Sequence, residues 1–378
     1  PGAQEEIRGV PFVGQSGSEF NKMLVETGLL QVPDIQNPNS WEEERSRKIF
    51  LTNVCKYRPP ENKIEYFFLD KAKTKPNELI LEGLRELEQE IRYVQPRLIL
   101  ALGDTALWAL TKKHGITKWR GSMLEHEYTG RDGTRRVALL MPTYHPALIL
   151  REWSWRPIAL HDIRRAKEAL QRGGWPERNT KYLIRPSFTQ VMDVFHHLQT
   201  EAENHATPDS PLHIADDLET RGGYIACHGM AWSTTEAICI PNMCVERPTG
   251  YFTLDQDVAI WEAERRLLTD PRVAVVGQNY LYDAQYFARR RGFVPNLRHD
   301  TMAMQQLAWA GLPKTLAFMS SMYCQHYVYW KDEGKEWNTK VPEDNLWIYN
   351  CDDTARDYEI FLTLRDSIRK MGLWHLYQ

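Results

Sequence analysis

Residues 212–220 read Leu212-His213-Ile214-Ala215-Asp216-Asp217-Leu218-Glu219-Thr220, an apolar run ending in carboxylates. The stretch 212–218 has the length and composition of a buried strand. Side chains two apart on a strand leave the same face, so Asp217 and Glu219 project together from its end. Such a triplet alone is common and usually structural. A second stretch, Val276-Gly277-Gln278-Asn279-Tyr280-Leu281-Tyr282-Asp283, reads as a strand end running into a helix. A helix beginning near Asn279 puts Asp283 one turn further on the same face, with Asn279 as its cap on a purely structural reading. The third, Tyr349-Asn350-Cys351-Asp352-Asp353, lies in a segment that reads as helical over 345–369. There Tyr349 and Asp353, four apart, share a face; the structural alternative is a solvated acidic turn with Tyr349 in the core.

Outward from these stretches, strands are expected at 224–232, 237–240 and 273–276, with a helix at 258–268. A meander followed by β/α units suits a mixed sheet covered by helices. Nearer the N-terminus, 49–54, 98–102 and 137–141 read as buried strands. Residues 77–93 read as an amphipathic helix with Leu79, Leu84, Leu87 and Ile91 inward. That alternation favours a parallel α/β sheet. Gly, Pro and small polar residues punctuate 172–179 and 204–211, on either side of a helix at 188–203. The expected division is a first domain over 1–172, a linker and connecting helix over 173–211, and a second domain over 212–378.

A chain of 378 residues, with 42% hydrophobic residues and 13 Trp, suits two well-packed domains. The net charge of −3 gives no global basic field, although Arg45-Ser46-Arg47-Lys48, Arg164-Arg165 and Arg289-Arg290-Arg291 are local basic clusters. The six cysteines form no C-x-x-C pair and no zinc-like spacing. No apolar stretch approaches the roughly 20 residues that span a bilayer, so no membrane partner is expected. No signal peptide is evident, and a reduced, cytoplasmic setting is the expectation.

Together the three acidic stretches resemble the exonuclease motifs of the DEDDy family, in the form carried by proofreading domains of family A DNA polymerases. The flanking words Gly277-Gln278-Asn279 and His299-Asp300-Thr301-Met302 fit, and Lys331-Asp332-Glu333-Gly334 resembles phage members. The resemblance implies a ribonuclease H-like mixed sheet and hydrolysis of phosphodiesters from a DNA 3′ end. It assigns Asp217, Glu219, Asp283 and Asp353 to two divalent cations, Mg²⁺ or Mn²⁺. It implies that Tyr349 orients the attacking water, and that Asn279 positions the substrate strand or the loop rather than binding metal. Hard cations want oxygen ligands, which explains carboxylates in place of Cys or His. The implied partners are a single-stranded or frayed 3′ end and a family A polymerase domain, in cis or in trans. The chain stops about where a polymerase thumb is expected to begin.

The first 170 residues offer a Gly-rich turn before a helix (Pro11-Phe12-Val13-Gly14-Gln15-Ser16-Gly17), a candidate phosphate approach. Thr52-Asn53-Val54 and Thr143-Tyr144-His145-Pro146 close apolar runs, and each reads equally well as an ordinary βα turn. With Pro1-Gly2, Lys56, Arg58-Pro59-Pro60, Ala101-Leu102-Gly103 and Arg120-Gly121, these match the motif order of family 4 uracil-DNA glycosylases. The resemblance implies a three-layer α/β/α domain with a mainly parallel sheet. It also implies that Phe12 stacks on a flipped base, Asn53 reads its polar edge, and His145 stabilises the departing uracil anion. That family's catalytic acid precedes the Pro-Gly pair, and its iron–sulfur cluster needs four cysteines where this half has Cys55 alone. No cluster is expected, and the domain is expected to be inactive, with a DNA-binding or structural role. The alternatives are an active glycosylase with an accessory exonuclease, and a non-catalytic module docking a polymerase on DNA.

Overall fold

Short apolar runs assemble two sheets in the computed structural model, which describes residues 2–32, 34–37, 39–70, 75–247, 249–332 and 343–377. The first sheet has the order β1-β3-β2, from β1 (Leu98–Leu102), β2 (Leu124–Thr129) and β3 (Arg135–Thr143). It is mixed: β1 runs parallel to β3, and β2 antiparallel. The segment 49–54, expected as a strand, joins no ladder among the described residues. Its side chains pack instead, Ile49 and Leu51 beside Phe20 and Leu24, and Val54 beside Phe67 and Ile80. The helix Glu78–Val94 starts at the Asn77 cap and buries Ile80, Gly83, Leu87 and Ile91. Leu79, expected inward, is 47% exposed and Ile80 takes its place on the buried face, whereas Leu87 and Ile91 lie inward as expected.

The second sheet has the order β4-β7-β6-β5-β8-β9. Its strands are β4 (Lys181–Leu183), β5 (Leu212–Arg221), β6 (Tyr224–Ala231), β7 (Glu236–Pro241), β8 (Val273–Gly277) and β9 (Leu297–Asp300). The meander β5-β6-β7 is antiparallel, whereas β8 runs parallel to β5 and to β9. This is a ribonuclease H-like mixed sheet. Helices Phe188–His205 and Leu254–Leu268 supply Val191, Phe195, Leu198, Ile260 and Leu267 to the apolar core beneath it. The helix Asp344–Lys370 packs against β5, β6 and β7.

The chain forms two units, Pro1–Pro176 with His326–Val328, and Glu177–Gln325 with Tyr329–Gln378. Most of the stretch 173–211, expected as a linker and connecting helix, thus lies in the second unit. There β4 pairs with β7, and the helix Phe188–His205 buries an apolar face in the core. Among the described residues no helix is long and apolar enough to cross a membrane.

Candidate active site

Alternation along β5 sorts its acidic residues onto opposite faces. Asp216 and Leu218 turn into the core, whereas Asp217 and Glu219 are half-buried on the other side. The ladder slips between Glu219 and Thr220, a bulge of the sort that re-aims side chains at functional rims. The helix Asp344–Lys370 brings Tyr349, Asn350, Asp353 and Asp357 to nearly one face, spaced by about one turn. Carboxylate oxygens of Asp217, Glu219 and Asp353 all lie within 4.8 Å of one another. Asp283 is outside that tight group but adjoins it, its Oδ1 accepting the Leu218 amide at 3.0 Å.

Both oxygens of Asp353 are engaged. Trp330 Nε1 donates to Oδ1 at 2.7 Å, and the Lys331 ammonium donates to Oδ2. The same ammonium lies 2.9 Å from the Tyr349 hydroxyl. Burial and then the charge of Asp353 push the Asp217 carboxyl up to about 7. Burial, followed by Asp217 and Asp353, pushes Glu219 to about 9. Burial and Asp217 take Asp283 to about 8. Carboxylates so placed hold protons at neutrality unless positive charge reaches them. The Lys331 ammonium already stands among them as a cation, and the donors are hard oxygens. The residues present therefore fit a divalent metal ion.

Several supports of this site carry no signal in the short motifs. Asn350 Nδ2 donates to Asp217 Oδ2 at 2.8 Å, fixing that carboxylate across 133 residues of chain. Asp300 accepts from the amides of Asn279, Tyr280, Met302 and Ala303, tying the 277–280 turn to the next helix. The helix bearing Asp283 starts at Leu281 with Tyr280 as its N-cap. Asn279 therefore stands two residues before the helix and is not its cap. It is exposed, in the left-handed region with φ 56°. Beneath β5, His228 bridges the buried carboxylates of Asp216 and Glu264, and Tyr280 donates to Asp216 at 2.6 Å. Burial alone lowers the His228 imidazole, but the two carboxylates outweigh it and raise it to about 10.

In the first unit, Phe12 and His145 stack with ring centroids 5.5 Å apart. Phe12 has a positive φ of 59°, a conformation costly for a bulky residue unless its surroundings impose it. Three contacts impose it. Glu5 Oε1 accepts the Phe12 amide at 2.6 Å, and Arg45 donates to its carbonyl at 3.2 Å. Gly17 lies so close that a Cβ there meets the Phe12 carbonyl oxygen at 1.8 Å. His145 is held neutral by burial, and its Nδ1 accepts the Ala147 amide at 3.1 Å. Asn53 is half-buried beside Thr52, whose hydroxyl binds Glu90 at 2.7 Å. Among the described residues no hydrogen bond joins Asn53 to the Phe12–His145 pair. A four-cysteine cluster does not fit here: Cys55 is the one cysteine of residues 1–176, packed among Phe67, Ile80 and Trp108.

A mixed sheet with carboxylates gathered at the end of its central strand defines a hydrolytic nuclease domain, and the domain before it presents a stacked Phe–His pair at a βα turn. Residues 1–171 match the uracil DNA glycosylase superfamily, and residues 194–371 match the 3′-5′ exonuclease family of DNA polymerase A type. The type-4 uracil-DNA glycosylase of Thermotoga maritima is 33% identical over 178 residues, 46% of this chain and 76% of that protein. The type-4 enzyme of Saccharolobus solfataricus is 30% identical over 175 residues, 45% of this chain and 68% of that protein. A DNA polymerase of Bacillus phage SP01 is 29% identical over 115 residues, 30% of this chain and 10% of the polymerase. Among solved structures, RNase D of Escherichia coli has a TM-score of 0.38 at 15% identity, covering 53% of this chain and 48% of that one. Through its first domain the chain belongs to the uracil-DNA glycosylase superfamily, with type-4 homologues, and a 3′-5′ exonuclease domain follows it.

Proposed function

We propose that the chain removes nucleotides from DNA 3′ ends, proofreading for a family A polymerase. The observation that carries this reading is the triad Asp217, Glu219 and Asp353, with oxygens within 4.8 Å and a cationic side chain already among them. Asp217, Glu219 and Asp353, joined by Asp283, would hold two divalent cations, Mg²⁺ or Mn²⁺. When bound, such ions supply the positive charge that activates water and relieves the leaving oxygen. Tyr349 directs the attacking water through its hydroxyl, which reaches the cluster from one helical turn before Asp353. Asn350 fixes the rotamer of Asp217, and Asp300 shapes the turn from which exposed Asn279 meets the substrate strand. The match to a phage DNA polymerase supports the polymerase partner, in cis or in trans, and DNA over RNA as substrate.

For the first domain we favour a DNA-binding role, with Phe12, stacked on His145, as a platform for a base and Asn53 reading the base's polar edge. The identity to type-4 glycosylases supports a second reading, excision of uracil. Digestion of 5′-labelled single-stranded DNA, with matched RNA, tests the first reading. A metal-dependent ladder on DNA, abolished by EDTA and in Asp217→Ala/Glu219→Ala, is expected; DNA left intact with both metals overturns it. Release of free uracil from labelled uracil-containing DNA, lost in Asn53→Ala, would establish the second.

A further inference from the structure

The strap 329–332 closes on Asp353 more completely than a metal ligand requires. Trp330 takes one carboxylate oxygen and Lys331 the other. The Lys331 stem lies beside two rings, with its ammonium 5.5 Å from the centre of the Trp330 ring and 4.9 Å from that of Tyr349. Arg356 stacks on the Trp330 ring at 4.1 Å, anchoring the strap to the same helix as Asp353. Among the described residues, Lys331 is the one hydrogen-bond partner of the Tyr349 hydroxyl. One ammonium thus serves both the carboxylate that would ligate a cation and the phenol that would direct water.

We propose that Lys331 is a positioning residue with two linked duties: it occupies the cation's place on Asp353 until a divalent ion displaces it, and it holds the Tyr349 hydroxyl at the reacting end of the site. The inference rests on reading the carboxylates as a cation site. A buried charge needs a partner, and three clustered carboxylates need one most. Lys331 supplies it from within the chain, so the cluster is partly neutralised before any metal arrives. An incoming cation must break the Lys331–Asp353 pair and then tolerate the ammonium held nearby at Tyr349. Both effects oppose metal binding. Removing the ammonium therefore strengthens binding of the ion while it releases the phenol. Tighter metal with slower turnover is a pairing that loss of folding does not produce.

The experiment uses the full chain and Mn²⁺ as the probe, comparing wild type, Lys331→Met, Lys331→Gln and Lys331→Arg. Titration calorimetry reads Mn²⁺ affinity without substrate, and steady-state digestion at saturating Mn²⁺ reads kcat and KM for single-stranded DNA. Lys331→Met keeps most of the apolar stem on the rings, and Lys331→Gln is a second neutral variant should Met fail to fold. Both neutral variants should bind Mn²⁺ about tenfold tighter, from the like-charge repulsion removed. Their kcat should fall by about tenfold or more with KM for DNA unchanged, as for a lost transition-state contact. Lys331→Arg should restore much of kcat and the weaker Mn²⁺ binding. Unchanged or weaker Mn²⁺ binding in the neutral variants, or unchanged kcat, overturns the proposal. If wild type itself binds no Mn²⁺, or binds it equally in Asp217→Ala/Glu219→Ala, the cation-site reading fails first, and the two failures are told apart.

Discussion

Gly229 on β6 lies directly opposite Asp217 in the antiparallel pair, and the space where its side chain would stand is filled by Asn350. A Cβ at that position meets Asn350 Oδ1 at 2.5 Å, Cγ at 2.7 Å and Nδ2 at 2.9 Å. Ordinary van der Waals contact needs about 3.5 Å, so Gly229→Ala pushes the amide away by about 1 Å. Asn350 is fully buried and cannot swing into solvent. Its Nδ2 then loses the 2.8 Å bond to Asp217 Oδ2, and the carboxylate is free to turn. A displacement of about 1 Å in a positioned reacting group costs on the order of 10²-fold in rate. Overpacking a filled core should also lower stability by about 1–3 kcal/mol. The assay is single-turnover digestion of 5′-labelled single-stranded DNA at saturating Mn²⁺, with thermal unfolding alongside. Asn350→Ala removes the obstruction and the hydrogen bond together, so adding Gly229→Ala to it should cost little more, a strongly non-additive cycle. A Gly229→Ala protein that digests DNA at the wild-type rate, or whose loss simply adds to that of Asn350→Ala, would refute the chain of contacts from Gly229 to Asp217.

Two further outcomes follow from charge. Asp217, Glu219 and Asp283 have carboxyls raised to about 7, 9 and 8 by burial and mutual repulsion, so in the folded, metal-free protein they hold protons the unfolded chain has released. Their contribution to stability is present at acid pH and lost as pH rises through those values. Thermal unfolding without metal should show Tm falling from pH 6 to 9, with the largest gain from added Mn²⁺ at pH 9; a flat profile in both conditions contradicts this. His228→Leu leaves the buried Asp216 and Glu264 carboxylates without their shared cation and should cost about 3–5 kcal/mol at pH 6. Because His228 is raised to about 10, its advantage is complete below about 6.5 and fades as pH rises through 10, so denaturant melts of the two proteins should converge there. Equal stability at pH 6 would show that the network carries no net stabilisation.

Much of the second domain was legible in the sequence because the placement of its acidic side chains follows local periodicity. Two-residue alternation puts Asp217 and Glu219 on one face of β5, and four-residue spacing puts Tyr349 and Asp353 on one face of a helix. The expected strands at 212–218, 224–232, 237–240 and 273–276 all lie on observed ones to within a few residues. What escaped was non-local. Asn350 stands inside a stretch read for its acids, and its partner lies far along the chain. Lys331 reaches Asp353 from a segment noted only for its family likeness. Asp300 belongs to a flanking motif, and no local pattern announces that its carboxylate gathers amides from two turns. The helix bearing Asp283 begins at Leu281, two residues after Asn279, because Asn279 in the left-handed region makes a turn first. In the first domain, Glu5 fixes Phe12 through a backbone amide, a contact no side-chain pattern announces. The apolar stretch 49–54 has the composition of a strand, yet it is spent on two side-chain clusters, and composition cannot tell those uses apart.

Crystals soaked in Mn²⁺ and measured at the manganese edge test the central reading most directly. Two anomalous peaks about 4 Å apart among the carboxylates of Asp217, Glu219, Asp353 and Asp283, lost in Asp217→Ala/Glu219→Ala, are the predicted result. A density map with no manganese at these carboxylates, from crystals that bind it elsewhere, would contradict it.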